Sequence, residues 1–155
     1  MKEKLVRLTS DSFLFPGDVI GVRRGLYDHY AVYIGEDKVI QYSGDGGDFK
    51  GKVSIHVATM KDFLKMNKSY YVISFIHEVP VRIYADTNFV AGETYGLERW
   101  KADKVYSPEE TVKRAMSRLG EAEYNLVFNN CEHFVMWCKT GIGWSLQVEK
   151  KVEEA

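Results

Sequence analysis

One segment decides how this chain is interpreted: Asn129-Asn130-Cys131-Glu132-His133-Phe134-Val135. It separates a strand-like run over residues 124–128 from an apolar helical run that ends before Gly141. Asparagine is a favoured N-cap residue, so Asn130 is predicted to begin a helix with Cys131 in its first turn. A helix N-terminus carries about half a positive charge and free N–H groups, which favour a thiolate. The segment therefore predicts a cysteine nucleophile whose pKa lies below its usual value.

Cys131 also has simpler interpretations. A lone cysteine is most often a small buried hydrophobe. At about 100° per residue, Phe134, Val135 and Cys138 share the helix face of Cys131, whereas His133 points nearly opposite. Cys138 is therefore predicted to lie in the core, and His133 serves neither as the base of Cys131 nor, with the two cysteines, as a metal ligand. A disulfide between the cysteines is excluded, because seven helical residues span about 10.5 Å, beyond the roughly 7 Å limit on Cα separation.

Length and composition fit a single globular domain over residues 1–155. Hydrophobic residues make up 45% of the chain and aromatic residues 14%, which argues against disorder. The net charge is −1, with 21 basic and 22 acidic residues, so no nucleic-acid partner is expected. Neither terminus resembles a signal peptide, and no stretch approaches about 18 consecutive apolar residues. These features predict a cytoplasmic protein without cofactor or metal, and they leave its oligomeric state open.

Residue patterns along the chain predict an α+β fold. Alternation predicts strands at residues 29–34 and 53–57, and turn residues before an apolar run predict strands at 19–22 and 38–43. These strands are expected to form an antiparallel sheet. Helices are predicted at residues 60–66 and after Ser107-Pro108, a strong helix start. The segment from Ser43 to Gly51 is glycine-rich and is predicted to be a flexible loop. Residues 70–100 follow these patterns least clearly, with strands predicted at 70–76 and 81–84, and residues 149–155 are predicted to be a charged tail.

A catalytic cysteine requires a nearby base, and the chain has four histidines. His77 stands beside an uncertain strand and is expected at the surface. His56 lies in a predicted strand on the face opposite its apolar neighbours, so it is expected to face solvent. His133 is excluded by the helix geometry. His29 remains, because it begins a strand directly after a loop, where side chains often enter clefts.

Three motifs, in this order, resemble the lecithin:retinol acyltransferase family: Pro16-Gly17-Asp18, His29-Tyr30-Ala31-Val32-Tyr33-Ile34-Gly35 and Asn130-Cys131-Glu132-His133-Phe134-Val135. The resemblance covers roughly residues 13–60 and 105–142, which leaves 70–100 as an expected family-variable insertion. It implies a permuted papain-like, NlpC-type domain, with an antiparallel sheet packed against helices and the nucleophile at a helix N-terminus. It also implies Cys131 as the nucleophile and His29 as the general base and acid.

The chain departs from the family at Gln41, where animal members usually have a second histidine, and at Tyr30, where they commonly have tryptophan. A hairpin turn centred on Gly35 would place Gln41 directly opposite His29. Its side-chain carbonyl would then accept the imidazole N–H and orient the ring. A turn centred on Glu36-Asp37 would break that alignment and favour Gln41 as an ordinary polar strand residue.

The resulting prediction is thiol-dependent acyl transfer or hydrolysis on an acyl-lipid ester, of the phospholipase A or acyltransferase kind, through a thioester on Cys131. The expected partner is an acyl lipid or another acyl ester, met in transient contact with a membrane surface. Aromatic residues within 70–100 are expected to line a groove for the acyl chain. Two alternatives stay open: a cysteine peptidase or amidase with the same residues, and a catalytically silent binding or regulatory domain. Thiol reactivity separates the silent domain from the enzymes, and substrate preference separates the two enzymes.

Overall fold

An antiparallel sheet and three helices form the part of the chain that the computed structural model describes, residues 14–67, 69–76, 79–84, 92–94, 102–125, 129–143 and 145. The strands are β1 (Val19–Arg23), β2 (Asp28–Gly35), β3 (Lys38–Gly44), β4 (Val53–Thr59), β5 (Tyr71–Ile76), β6 (Val79–Tyr84) and β7 (Gly92–Thr94). The helices are α1 (Met60–Leu64), α2 (Pro108–Met116) and α3 (Cys131–Thr140). The seven strands lie in the order β4-β3-β2-β1-β5-β6-β7. The predicted α+β class is confirmed.

The hairpin of β2 and β3 turns at Glu36-Asp37, where φ is 51° and 63°. Positive φ at both central residues is what the tight turn of a two-residue hairpin requires. The turn places Gln41 opposite Ala31, so the alignment of Gln41 directly opposite His29 does not occur. His29 and Ala31 are two residues apart and share a face, so Gln41 is still a diagonal neighbour of His29.

Each face of the sheet carries its own apolar core. On one face, α3 and α2 cover fully buried residues that include Tyr30, Val32 and Tyr42. On the other face, α1 covers alternate residues of the same strands and inserts Phe63 among them. Full burial of each such side chain contributes about 1.5–3 kcal/mol. Cys138 is fully buried in the first core, as predicted.

The start of α3 follows from its capping residues. The Asn130 side-chain oxygen accepts hydrogen bonds from the backbone N–H groups of Glu132 and His133, at 2.9 and 3.0 Å. The Asn130 N–H donates in return to His133 Nδ1, at 3.1 Å. The predicted helix start at Asn130 is confirmed, and the His133 ring is engaged in the cap. At the other end Gly141 has φ 82°, a conformation that suits glycine at a helix end.

The segment from residue 70 to 100 contributes to the main sheet. The predicted strand at 70–76 is confirmed as β5, which pairs with β1, and β6 pairs with β5 in turn. Pro80, which the sequence pattern places between strands, lies within β6 opposite Phe75. How far this segment varies within a family stays a prediction. The predicted strand residues 126–128 and the charged tail 149–155 lie outside the described residues. Across the described ranges, no helix combines the length and apolar character needed to cross a bilayer.

Candidate active site

His29 is the second residue of β2, and its side chain is fully buried. Its ring lies against Phe63 of α1, with 5.6 Å between the ring centroids. The ring atom Nε2 lies 2.9 Å from Gln41 Oε1, so the predicted contact between these residues forms through the diagonal arrangement. The other ring nitrogen, Nδ1, is buried and has no hydrogen-bond partner in the part of the chain that the structure describes.

Cys131 is the first residue of α3 and is 3% exposed. Its sulfur lies beside the backbone N–H of Tyr30, the residue that follows His29. Tyr30 lies just outside the pairing between β2 and β3, which begins where Ala31 faces Gln41. The structure therefore brings Cys131 to the strand that carries His29. No hydrogen bond joins the sulfur to His29 Nδ1.

Burial decides the protonation state of both groups. Desolvation raises the pKa of the Cys131 thiol to about 12, although the N–H groups of Tyr30 and Glu132 act in the opposite direction. Desolvation also lowers the pKa of His29 to about 4, against the influence of Asp48 and Gln41. The expectation of a thiolate at the helix N-terminus is therefore wrong for this structure, because the loss of solvation outweighs the helix-terminal N–H groups. The resting groups are a neutral thiol and a neutral imidazole.

Asp48 is a site residue that sequence analysis misses. Its side chain is 2% exposed and accepts hydrogen bonds from Arg24 Nε at 2.8 Å and the Tyr27 hydroxyl at 2.6 Å. Its Oδ1 lies 3.9 Å from His29 Nε2 and 3.4 Å from Lys65 Nζ. Burial acts to raise the pKa of Asp48, but His29, Arg24 and Tyr27 together hold that pKa well below its usual range. An ionised carboxylate therefore lies next to His29.

The loop that carries Asp48 is more tightly held than its glycine content suggests. A Cβ atom at Gly44 would collide with the Lys50 carbonyl oxygen, so the loop closes against its own backbone. The Lys52 N–H donates to Asp45 Oδ1 at 2.9 Å. In the sequence, Asp48 is marked only by its position in the short loop between β3 and β4. These two strands pair with each other, so the loop comes back beside β3.

His56 is a second residue whose position sequence analysis misjudges. Its Nε2 lies 3.2 Å from Gln41 Nε2, and its Nδ1 lies 2.9 Å from the Ser54 carbonyl oxygen. His56 was expected to face solvent, but it is half-buried, because the pairing of β3 and β4 places it directly opposite Gln41. The β3–β4 hairpin that produces this pairing is centred on residues 48–49. His77, by contrast, lies outside the described residues.

A polar pocket of about 470 Å³ adjoins these groups, and Gln41, Asp48 and His56 are among its lining residues. Apolar side chains lie on the loops that meet at Asp48. Leu26, between Arg24 and Tyr27, is fully exposed, and Phe49 is 43% exposed. The Phe49 ring packs on Tyr27 with 4.7 Å between centroids.

Aromatic residues within 70–100 are expected to line an acyl groove, but those that the structure describes pack against the cores of the sheet. Tyr71 is fully buried, and its hydroxyl donates to Asp28 Oδ2 at 2.6 Å, so it belongs to the core. Phe75 is partly buried against the same core, and Tyr70 is partly buried against the core on the other face of the sheet. The remaining candidates Phe89, Tyr95 and Trp100 lie outside the described residues. The described ranges also contain no group of three or more histidine, cysteine, aspartate or glutamate residues placed to hold a metal ion.

Comparison of the sequence with known proteins identifies the family of this chain. The family model for lecithin retinol acyltransferase matches residues 13–143. Human phospholipase A and acyltransferase 1 is 31% identical over 144 residues, which cover 88% of this chain and 74% of that protein. Bovine lecithin retinol acyltransferase is 32% identical over 142 residues, covering 88% of this chain and 59% of that protein. The chain thus spans less than two thirds of the bovine protein. Because the family model extends over most of the sequence, the chain belongs to the lecithin retinol acyltransferase family.

Proposed function

We propose that this protein is a cysteine-dependent enzyme that transfers or hydrolyses the acyl group of acyl-lipid esters. Cys131 is the nucleophile, His29 the general base and acid, and Gln41 the residue that orients His29. Membership of the family supports the reaction class, since its relatives are named as acyltransferases and as a phospholipase A. The observation that carries the site assignment is the buried Nδ1 of His29. It has no hydrogen-bond partner among the described residues, and it lies one residue from the backbone that contacts the Cys131 sulfur.

The proposed reaction starts from neutral groups. His29 Nδ1 takes the proton of the Cys131 thiol as the sulfur attacks the ester carbonyl carbon. The oxyanion that forms accepts a hydrogen bond from the Cys131 N–H; one such donor is worth about 2.7–4 kcal/mol. The carbon–oxygen bond to the alcohol then breaks, His29 returns the proton to that alcohol, and a thioester remains on Cys131. Water completes hydrolysis, or an amine or alcohol completes transfer.

Tyr124 is the proposed second donor to the oxyanion. The backbone N–H of Cys131 lies close to the Tyr124 hydroxyl, so that hydroxyl lies next to the first donor. Burial raises the pKa of Tyr124, and the Asp48 carboxylate acts in the same direction, so the Tyr124 hydroxyl keeps its proton. A protonated hydroxyl can donate to the negative oxygen.

Asp48 supplies the charge that Gln41 lacks. Protonation of His29 during the reaction places an imidazolium 3.9 Å from the Asp48 carboxylate. At an effective dielectric constant of about 20, two unit charges at that distance attract each other by about 4 kcal/mol. The ion pair between Arg24 and Asp48 reduces this value, because Arg24 already neutralises part of the carboxylate charge.

The surroundings of the site favour a lipid substrate over a peptide. Leu26 and Phe49 expose apolar side chains on the two loops that meet at Asp48. Exposed apolar groups at a site edge are typical of surfaces that contact lipid or another apolar partner. We propose that this edge touches a membrane surface while an acyl chain reaches Cys131. The single domain of the chain is then of the permuted papain-like, NlpC type, because the strand with the histidine precedes the helix with the cysteine.

Intact mass spectrometry tests the proposed function. The protein is incubated with mixed phospholipids or with an activated acyl ester, and the mass of the covalent adduct is measured. We expect one acyl group on the parent protein and on Cys138→Ser, the matched control for a buried thiol, and none on Cys131→Ala. Release of the adduct by hydroxylamine identifies a thioester. An adduct that persists in Cys131→Ala would refute the assignment of Cys131 as the nucleophile. No adduct with any ester would refute the proposal and favour the silent-domain alternative.

A further inference from the structure

We infer that His56 is a positioning residue, which fixes the amide orientation of Gln41 and thereby the tautomer of His29. The three side chains follow one another across adjacent strands, from β4 through β3 to β2. Their hydrogen-bond chemistry gives the orientation. The catalytic consequence rests on the proposed function, in which His29 Nδ1 accepts the proton of Cys131.

The Ser54 carbonyl oxygen lies 2.9 Å from His56 Nδ1. A carbonyl oxygen only accepts hydrogen bonds, so His56 Nδ1 carries the proton. In a neutral imidazole the second nitrogen is then an acceptor. His56 Nε2 therefore presents a lone pair toward Gln41.

Gln41 donates to this lone pair through its amide nitrogen. Gln41 Nε2 lies 3.2 Å from His56 Nε2, and an amide N–H is a donor suited to that lone pair. The reverse orientation would bring the Gln41 carbonyl oxygen and the His56 lone pair face to face, two acceptors without a proton between them. The amide oxygen of Gln41 is therefore turned toward β2.

His29 completes the series. The Gln41 oxygen lies 2.9 Å from His29 Nε2 and can only accept, so Nε2 carries the proton. His29 Nδ1 is left with a lone pair and with no partner among the described residues. This is the tautomer that a base for Cys131 needs.

A glutamine alone does not select this tautomer. Its amide has an acceptor on one side and donors on the other, so Gln41 would fit either tautomer of His29 after a rotation of about 180°. In the rotated form Gln41 donates to His29 Nε2, the ring proton moves to Nδ1, and Nδ1 is no longer a base. His56 removes this ambiguity, because it offers Gln41 an acceptor. In this chain a glutamine thus lies between two histidines on successive strands.

The test uses two variants of opposite hydrogen-bond character at one position. His56→Glu offers Gln41 an acceptor, whereas His56→Lys offers only donors. Long-range ¹H–¹⁵N correlation spectra of the folded chain report which ring nitrogen of His29 carries the proton. We expect the Nε2–H tautomer in the parent and in His56→Glu, and the Nδ1–H tautomer in His56→Lys. For a short-chain ester, kcat of His56→Lys falls about 10–100-fold, which is a part of the roughly 10²–10⁴-fold that general acid–base catalysis supplies, while KM stays near the parent value.

A second substitution, at Gln41, shows whether His56→Lys acts through the amide orientation of Gln41, through its added charge or through a folding defect. Gln41→Glu places an acceptor against His29 whatever stands at position 56, so the double variant Gln41→Glu/His56→Lys should regain the Nε2–H tautomer and most of the lost kcat. The same His29 tautomer in all four proteins would overturn the inference, as would a failure of Gln41→Glu to restore it. Because the spectra need no substrate, a parent that forms no thioester but shows the expected tautomers refutes the proposed function alone.

Discussion

The buried neutral His29 makes folding stability depend on pH in a defined window. Desolvation lowers its pKa from 6.5 to about 4 in the folded protein, so between these values the unfolded chain binds the proton more readily. The stabilising contribution is complete above pH 6.5, decreases as the pH falls, and is lost below about 4. Each pH unit in the window is worth about 1.4 kcal/mol. The folded state therefore loses about 3 kcal/mol from this one residue.

Other carboxylates and histidines titrate in the same range, so the measurement has to be a difference. Urea unfolding at several values between about pH 7.5 and pH 3.5 gives the free energy of unfolding for the parent and for His29→Gln, which cannot be protonated. We expect the parent to lose about 3 kcal/mol more than His29→Gln across this range. Equal losses in both proteins would refute the assignment of a buried, neutral His29. An NMR titration provides an independent check, because the His29 ring signals of the folded parent should stay constant down to about pH 5.

Three further outcomes are expected. Asn130→Ala removes the acceptor for two backbone N–H groups of α3 and should lower the free energy of unfolding in urea by about 1–2 kcal/mol, whereas Asn130→Asp keeps the cap and most of that stability. Leu26→Ser with Phe49→Ser should reduce activity on phospholipid vesicles and leave short-chain ester hydrolysis nearly intact; Ile142→Ser, 49% exposed beyond the far end of α3, is the control and should affect neither. Asp48→Asn should lower kcat for short-chain esters by about 10-fold or more, since it removes the charge beside the imidazolium, and an unchanged kcat would exclude that role.

Features set by neighbouring residues in the chain could be predicted from the sequence. Asn130 caps α3 through contacts within three residues, and the apolar periodicity of that helix locates Cys138 in the core. The β2–β3 hairpin follows from alternation and a short turn. The exact register of this hairpin could not be predicted, because a turn centred on Gly35 and a turn centred on Glu36-Asp37 both fit the sequence. With the turn at Glu36-Asp37, Gln41 lies opposite Ala31, two residues along β2 from the predicted partner His29, and its contact with His29 is retained.

Features that depend on the approach of distant segments could not be predicted in this way. Asp48 lies in a stretch whose glycines indicate mobility, and its burial depends on Arg24 and Tyr27, more than twenty residues earlier in the chain. His56 lies beside apolar residues in a strand, and alternation gives its face but not its neighbour across the sheet. The lowered pKa expected for Cys131 was wrong for a similar reason, since the helix start is a local feature and desolvation is a property of the assembled core.

A thiol that is buried and protonated is also a poor target for oxidants. Hydrogen peroxide reacts with the thiolate, and a pKa of about 12 leaves roughly one Cys131 in 10⁵ ionised at neutral pH. With 3% of the residue exposed, even that fraction meets little dissolved peroxide. The folded protein therefore keeps its sulfur in a form that resists conversion to sulfenic and sulfinic acid while no ester is bound. In the proposed mechanism, the same burial requires His29 to remove the proton anew in every catalytic cycle, so protection from oxidative damage and dependence on an internal base have one structural origin.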